Sequence, residues 1–278
     1  MPPERSEYVA KRDANPNFVE AVARGLDLLR AFEPGRPSMT MSELASAANL
    51  ARPTAGRILH TLEALGYVRS HNGNFRLTPR VLELGMAYIQ ATEIWDLTRP
   101  HMERLVAQTH ESCSVAQLDG SDVVYVARVA VPKLIALIVR IGTRFPAATT
   151  SLGKVLLSDL TPDEVETILA QPSRSGVVPR HAPSPKQLRE QLAEIRQRGW
   201  VLTDQELANG VRSIAAPLRD GAGRTRAALN VTVHAAETTT EKLVDEHLPR
   251  LLRAAQAINA DWARLDALPI RANSTYDA

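Results

Sequence analysis

Apolar positions in the first 65 residues have the spacing of helices. Residues 17–33 place apolar side chains three and four positions apart, which predicts an amphipathic helix. Its apolar stripe consists of Phe18, Val22, Leu26 and Leu29. Thr40-Met41-Ser42-Glu43 has the sequence of a capping box, so a second, short helix is expected to follow. A third helix can begin at Pro53, because the first helical turn leaves its backbone N–H groups unbonded and proline has none.

The pattern changes after Gly66, which is expected to end the third helix. Two short strands are predicted at 67–70 and 75–77, on either side of Asn72-Gly73. Asn-Gly is the strongest short-range signal for a hairpin, because both positions of its tight turn need a positive φ. Residues 17–78 therefore predict helix, helix, turn, helix and hairpin, which is the order of a winged helix-turn-helix.

The rest of the chain mixes strands and helices without a regular strand–helix–strand alternation. Helices are predicted at 80–91, 95–109, 151–159, 162–170, 185–198 and about 239–264. Strands are predicted at 113–118, 122–129, 134–141, 200–203, 212–218 and 226–234. This mixture predicts the α+β class with a mainly antiparallel sheet.

The predicted elements divide the chain into two domains. We expect a winged helix-turn-helix domain at 16–78, a linker helix at 79–95 and the α+β domain at 96–265. Residues 1–15 and 266–278 are polar and lack the apolar content to fold, so both are expected to be disordered tails.

Composition narrows the function classes. The chain has 278 residues, 44% of them hydrophobic, and a net charge of only +2, which excludes a protein that coats nucleic acid through its overall charge. Its single cysteine excludes a disulfide scaffold and a multi-cysteine metal site. We expect neither a membrane span nor a secretory signal, and therefore a cytoplasmic protein.

The third helix has two chemically different sides. Ala55, Ile58, Leu59, Leu62 and Leu65 are predicted to face inward. A long side chain on the opposite side could reach a base edge in the major groove, where arginine pairs with guanine through two hydrogen bonds. The candidate DNA-contacting residues are Arg36, Arg52, Pro53, Thr54, Arg57, His60, Thr61, Arg69 and Arg76, with His71 beside them in the hairpin. A small helical domain with a solvated polar face would show the same helix, so the prediction depends on the order of all the elements.

Four segments of the first domain resemble the IclR family of bacterial transcription regulators. They are Ala23-Arg24-Gly25-Leu26-Asp27-Leu28-Leu29, Met41-Ser42-Glu43-Leu44-Ala45, Arg52-Pro53-Thr54-Ala55-Gly56-Arg57-Ile58-Leu59 and Leu65-Gly66-Tyr67-Val68. The resemblance extends over about residues 17–263. The first segment is most similar to the subfamily that controls protocatechuate and 4-hydroxybenzoate degradation.

Polar residues mark two places in the second domain. Thr149, Thr150 and Ser151 stand at the entrance of a helix, where backbone N–H groups can hold an anion or the side chains can simply cap the helix. Asn230 and Thr232 share one face of the last strand, because side chains alternate along a strand. That face suits either a small polar ligand or solvent.

The resemblance implies that the second domain is a GAF-like effector domain. The family's ligand pocket, carried over to this sequence, corresponds to Leu134, Leu137, Ser151, Leu152, Asp204, Ser213, Asn230 and Thr232. A carboxylate ligand could also be held by Arg140 or Arg144, and the sequence leaves the choice open. The resemblance further implies a homodimer and pairs of dimers, for which Val81, Leu82, Leu84, Met86, Ile89 and Trp95 supply an apolar surface.

These observations predict a regulator that binds operator DNA and responds to a small organic acid, an aromatic acid or its catabolite. An enzyme of small-acid metabolism is a second possibility, and a DNA-binding protein without a ligand is a third. An enzyme needs a nucleophile, paired acids or a metal cluster, and the sequence shows no such pattern. Cys113 lies at the start of an apolar strand, and the seven histidines lack ligand spacing, so we expect no metal and no cofactor.

Overall fold

The computed structural model describes residues 15–32, 35–92, 94–132 and 139–267 of the chain. The chain divides into two compact units between Ala91 and Thr92. The first unit contains the predicted winged helix-turn-helix and the second contains the predicted α+β domain. The sequence-based domain boundaries and the disordered tails stay predictions.

Three helices of the first unit follow the predicted order. They are α1 (Glu20–Arg30), α2 (Met41–Ala47) and α3 (Arg52–Ala64). The capping box before α2 is present: Glu43 N–H donates to Thr40 Oγ1, and Thr40 N–H donates to Glu43 Oε2 at 2.8 Å. Two positions after α3, Gly66 has a φ of +79°, which ends the helix as predicted.

The predicted hairpin is present and has a third strand. Strands β2 (Val68–His71) and β3 (Asn74–Leu77) are antiparallel. Their connection, Asn72-Gly73, has φ values of +49° and +76°, the positive pair that a tight hairpin turn needs. The additional strand β1 (Met39–Thr40) pairs with β3. Two residues are too few to give an alternating pattern, so the sequence did not indicate β1. We call residues 68–77 the wing.

The core of the first unit corrects two details of the helical prediction. Leu28, Leu44, Ala55 and Leu59 are fully buried, whereas Val22 of the predicted α1 stripe is 61% exposed. Leu29 of that stripe packs against the core, but the buried side of α1 is turned away from Val22 and Leu26. Apolar residues occupy more than one side of the helix, and spacing alone cannot tell which side is covered. Leu65, expected to face inward, is 52% exposed because the helix has already ended at Ala64.

The two units are joined in sequence by helical residues. A 3₁₀ turn at Pro79–Val81 precedes α4 (Leu82–Thr92). The helix α5 (Ile94–Thr109) follows and belongs to the second unit. Side chains of residues 89–94, including the predicted interface residue Ile89, lie outside the described set.

The second unit is built on a six-stranded antiparallel sheet, which confirms the α+β prediction. Its strands are β4 (Ser112–Asp119), β5 (Asp122–Val129), β6 (Arg144–Pro146), β7 (Val201–Asp204), β8 (Val211–Arg219) and β9 (Thr225–His234). Their spatial order is β6-β5-β4-β9-β8-β7. The strand predicted at 134–141 lies mostly in the undescribed residues 133–138, and its last three residues form no strand.

Helices cover both faces of this sheet. They are α6 (Ser151–Ser158), α7 (Pro162–Leu169), α8 (Pro185–Arg198) and α9 (Leu248–Asp266). A helical turn at Thr240–Lys242 and a π-helical stretch at Leu243–His247 precede α9. On one face α5 and α9 cover Leu229, Val231 and Val233, and on the other face α6 and α8 pack over a second apolar cluster. The second face also contains the cavity described below.

Candidate functional site

The outer side of α3 carries the predicted DNA-contacting residues. Ala55, Leu59 and Leu62 are buried, and Arg57 and His60 on the opposite side are exposed. Arg52, Pro53 and Thr61 are also exposed, and Thr54 is half-buried. Arg57 forms no ion pair with any described residue, so its guanidinium group is free to bind an anion.

The N-terminus of α3 differs from that of α2. Ala51 precedes α3 and supplies no side-chain cap, whereas Thr40 caps α2. The first N–H groups of an uncapped helix need another acceptor, and a phosphate oxygen is a good one. Arg52 and Thr54 lie in this first turn, beside those N–H groups.

Two arginines of the wing face each other directly. Arg69 on β2 and Arg76 on β3 are cross-strand partners, and both are exposed. Like charges in directly opposed positions destabilise a sheet, and a polyanion would remove that repulsion. The wing is joined to α3 by Glu63, whose Oε1 accepts from Ser70 N–H at 2.7 Å and from Ser70 Oγ at 2.6 Å. These hydrogen bonds lower the pKa of Glu63.

Arg36 and His71 complete the predicted set, in different surroundings. Arg36 forms an ion pair with Glu43, so part of its charge is already neutralised within the unit. His71 is exposed and pairs with Asn74 at the end of the hairpin.

The second unit contains a cavity on the sheet face that lies under α6. It measures about 60 Å³ as the space open to the centres of water molecules. A single water needs roughly 10–15 Å³ on this measure, so the volume of the cavity is large enough for a small organic molecule. Four predicted effector residues, Ser151, Ser213, Asn230 and Thr232, line it. The lining also includes Thr149 and Thr150, which the sequence marked at the helix entrance. The sequence did not indicate the other polar and apolar lining residues Glu111, Tyr125, Arg128, Thr203, Leu207, Gly210 and His234.

A cluster of three hydroxyl groups lies at one side of the cavity. Ser151 Oγ on α6 is 2.6 Å from Ser213 Oγ on β8, which is 3.2 Å from Thr203 Oγ1 on β7. All three side chains are buried. A hydroxyl group both donates and accepts, so this cluster can rearrange to bind a donor or an acceptor.

Asn230 connects two strands beneath the cavity. Its Oδ1 accepts from the Ser114 backbone N–H at 3.0 Å, and its Nδ2 donates to Thr232 Oγ1 at 3.0 Å. The amide of Asn230 therefore stabilises the β4–β9 pairing as well as lining the cavity.

Arg128 is the basic residue that the sequence analysis missed. It lies near the end of β5 and is half-buried, and its Nη1 donates to Ser114 Oγ at 2.9 Å. No described carboxylate forms an ion pair with it, and burial lowers the pKa of this guanidinium. The available signal was a single arginine in an otherwise apolar strand, since arginine is rarely buried without a partner.

Both arginines that were considered as ligand partners are absent from the cavity lining. Arg144 forms ion pairs with Asp119 and Asp122 at the edge of the sheet. Arg140 is exposed, and its backbone N–H donates to Thr143 Oγ1. Among the described residues that line the cavity, the arginine is therefore Arg128.

Other predicted effector residues also lie outside the lining. Leu152 is fully buried in the apolar cluster between α6 and the sheet. Asp204 forms a two-pronged ion pair with Arg212, which lowers the pKa of this carboxyl. Leu134 and Leu137 fall in the undescribed residues 133–138.

A buried ion pair lies beside the cavity. Lys154 of α6 is 1% exposed, and its Nζ lies 2.7 and 2.6 Å from the two carboxylate oxygens of Glu206. Burial lowers the pKa of Lys154, and the contact with Glu206 opposes that effect. Glu206 lies in the β7–β8 loop, and Leu207 and Gly210 of the same loop line the cavity. The ion pair with Lys154 therefore holds this loop against α6.

Burial raises the pKa of the Cys113 thiol to about 12, so it stays protonated and unreactive. Among the described residues, no group of three His, Cys, Asp or Glu side chains could hold a metal ion. No helix in the same part of the chain is long and apolar enough to span a bilayer.

Comparison with known proteins supplies two family matches. Residues 21–71 match the IclR helix-turn-helix domain, and residues 86–260 match the C-terminal domain of the bacterial transcriptional regulator IclR. The first match covers α1 to β2 of the first unit, and the second covers most of the domain that holds the cavity.

Individual relatives agree with these matches. The chain is 35% identical to the Pca regulon regulatory protein of Pseudomonas putida, covering 87% of this chain and 84% of the relative. It is 31% identical to the p-hydroxybenzoate hydroxylase transcriptional activator of Acinetobacter baylyi, covering 92% and 95%. The crystal structure of an IclR homologue from Microbacterium hydrocarbonoxydans, complexed with 4-hydroxybenzoate, superposes with a TM-score of 0.76 at 26% identity, covering 88% and 99%.

These findings confirm the prediction of a DNA-binding transcription regulator. They do not support the alternative of an enzyme, since the relatives are regulators of transcription. The family resemblance seen in the first domain extends through the second. The chain belongs to the IclR family of bacterial transcriptional regulators.

Proposed function

We propose that this regulator contacts operator DNA through α3 and the wing, and that a small organic acid bound in the cavity changes its affinity for DNA. The observation that carries the DNA contact is the exposure of Arg57, Arg69 and Arg76, none of which has an acidic partner among the described residues. Arg57 suits a base edge in the major groove, whereas the two wing arginines suit backbone phosphates. Arg52, Pro53, Thr54, His60 and Thr61 complete the proposed surface.

For the effector, we propose an aromatic acid or one of its catabolites. The cavity combines hydroxyl and amide groups with apolar walls, and the Microbacterium homologue binds 4-hydroxybenzoate in its crystal structure. The ligand acts by binding one arrangement of the two units better than another, since only differential affinity shifts an equilibrium.

We further propose a homodimer that can pair into a tetramer. The exposed fractions of Leu82 and Leu84 on α4 are 68% and 52%, and Met86 and Tyr88 are also exposed. A second copy of the chain is the proposed cover for this apolar surface. A twofold dimer would match two operator half-sites. A regulator of this kind acts where the DNA is, so we place it in the cytoplasm.

The test uses a labelled DNA fragment from upstream of the regulator's own gene, with affinity measured by fluorescence anisotropy at several salt concentrations. Arg57→Ala should weaken binding roughly 10- to 100-fold and reduce selectivity over a scrambled fragment, because a two-pronged arginine–base contact contributes about 1–3 kcal/mol. Addition of 4-hydroxybenzoate to the wild-type complex should change its affinity.

Arg189→Ala is the matched control, since Arg189 is exposed on α8 of the second unit. It should bind DNA as the wild type does. Unchanged affinity and selectivity in Arg57→Ala, with an intact circular dichroism spectrum, would contradict the assignment of α3.

A further inference from the structure

The carboxylate of Glu63 lies among the proposed DNA-contacting residues. Glu63 is on α3, three positions after His60, and on the wing it contacts Ser70, which lies between Arg69 and His71. Hydrogen bonds from Ser70, together with the nearby His60, lower the pKa of Glu63, so its carboxylate is charged at neutral pH. A negative charge at this place repels the phosphates of DNA, so the charge itself does not increase affinity.

Glu63 also differs from the other described glutamates of the first unit. Each of those pairs with an arginine: Glu20 with Arg24, Glu43 with Arg36 and Glu83 with Arg80. Glu63 forms no ion pair with a described residue and accepts hydrogen bonds from a backbone N–H and a hydroxyl group instead. It therefore contacts the wing without neutralising the arginines that are proposed to bind DNA.

Strand register decides which side of the wing Glu63 holds. Val68 and Ser70 share one face of β2, because side chains alternate along a strand, and Val68 is buried in the core of the first unit. Arg69 lies on the opposite face, beside its cross-strand partner Arg76. Glu63 thus holds the wing from the side that faces the core, and the contact leaves the face with the two arginines uncovered.

The hydrogen bond from the Ser70 N–H uses a donor that the sheet leaves open. The order of the three strands is β1-β3-β2, so β2 is an edge strand. Every second N–H group of an edge strand points away from its neighbour and needs a partner outside the sheet. The Ser70 N–H donates to Glu63 Oε1 at 2.7 Å, and Ser70 Oγ donates to the same oxygen at 2.6 Å. Two hydrogen bonds from one residue to one oxygen restrict both the distance and the angle between α3 and β2.

We propose that Glu63 is a positioning residue that holds the wing against α3 and thereby sets selectivity for the operator. With the wing fixed, Arg69 and Arg76 meet the phosphates when Arg57 faces its own base pair. A loose wing would bind phosphates in any register, since phosphate contacts carry no sequence information directly. This inference rests on the proposed contact of α3 and the wing with DNA, and it adds the residue that couples the two.

Three substitutions separate the hydrogen bonds of Glu63 from its charge. Glu63→Asp keeps the charge, but its side chain is one methylene shorter and should not reach Ser70. Glu63→Gln removes the charge, but its amide oxygen can accept the same two hydrogen bonds. Glu63→Ala removes both. Fluorescence anisotropy at several salt concentrations measures binding of the full-length variants to the labelled upstream fragment and to its scrambled version, and selectivity is the ratio of the two dissociation constants.

The expected results differ for each substitution. Glu63→Asp should lose selectivity roughly 3- to 10-fold, through weaker binding to the upstream fragment alone, which is the scale of one hydrogen bond. Glu63→Gln should keep the selectivity of the wild type and bind both fragments roughly 2- to 5-fold more tightly at low salt, because one charge that repels phosphates is gone. Glu63→Ala should show both changes together.

A change in the wing and a matched control complete the set. Ser70→Ala removes the hydroxyl donor and keeps the N–H, so selectivity should fall by less, roughly 2-fold. Its effect should nearly disappear in the Glu63→Asp background, because the acceptor is already out of reach. Glu190→Gln removes the same charge from an exposed position on α8 of the second unit and should bind both fragments as the wild type does.

Four results would count against these statements. Selectivity that survives in Glu63→Asp but falls in Arg57→Ala overturns the inference and leaves the DNA contact standing. An equal loss of affinity for both fragments in Glu63→Asp also overturns the inference, since Glu63 then only supports the fold. A loss of selectivity in Glu63→Gln as large as in Glu63→Asp overturns it as well, because charge and not hydrogen bonding would then set selectivity. If Arg57→Ala keeps its selectivity, the proposed contact of α3 fails and the inference fails with it.

Discussion

The wing and the cavity both contain arginines that form no ion pair with a described residue, but the two regions differ in solvent access. Arg69 and Arg76 are exposed, so water and salt screen their charges at little cost in stability. Arg128 is half-buried, and burial lowers its pKa. An open row of charge suits a polyanion whose binding falls with salt, whereas a partly buried single charge suits one small anion. The exposure of the arginine therefore distinguishes the proposed DNA contact in the wing from the proposed small-anion site in the cavity, although both use the same residue type.

The largest expected effect comes from a buried charge that does have a partner. Glu206→Gln leaves Lys154 buried without its carboxylate, and removal of one member of a buried ion pair costs about 3 kcal/mol or more. We expect a clear fall in the free energy of unfolding of the second unit, measured by urea denaturation.

The double variant Lys154→Met, Glu206→Gln is the control for this prediction. It should recover a substantial part of the loss, because a buried pair is often replaceable by apolar packing. A single variant as stable as the wild type would show that the pair does not hold the β7–β8 loop against α6.

A smaller effect is expected at Asn230, under the cavity. Asn230→Ala leaves the buried Ser114 N–H without its acceptor, which costs about 1–3 kcal/mol. Thr232→Ala removes only an acceptor of the Asn230 amide and should cost less. Thermal denaturation of both variants without ligand checks the order. If Asn230→Ala unfolds at the wild-type temperature, the amide of Asn230 does not stabilise the β4–β9 pairing and is available to the ligand alone.

This comparison also shows what the sequence could predict. Local signals predicted the winged unit well, because Thr40, Pro53, Gly66 and Asn72-Gly73 act through turns and caps that involve only their neighbours. The side of α1 that is buried could not be predicted, since it depends on what packs against the helix.

The cavity depends on contacts far apart in sequence. Alternation on β9 indicated Asn230 and Thr232, but Arg128 enters the cavity through its contact with Ser114, which is fixed by strand pairing. Arg144 resembled a ligand partner in sequence and is instead neutralised by Asp122, which lies 22 positions earlier in the chain. Strand register decides both cases, and no local pattern determines it.

The smallest expected effect has opposite signs for stability and for DNA binding. Arg69→Ala removes the like-charge pair with Arg76, so the free energy of unfolding of the first unit should rise by less than about 1 kcal/mol at low salt. The same change removes one proposed phosphate contact, so the dependence of log affinity on log salt concentration should become shallower by about one. Urea denaturation at about 20 and about 500 mM salt, which bracket weak and strong screening, measures the change in stability. Anisotropy titrations measure the salt dependence of DNA binding. A loss of stability together with an unchanged salt dependence would mean that Arg69 supports the hairpin and does not contact the DNA. A charge that serves DNA binding should instead lower the stability of the free protein, because its repulsion from Arg76 is not relieved until the DNA binds.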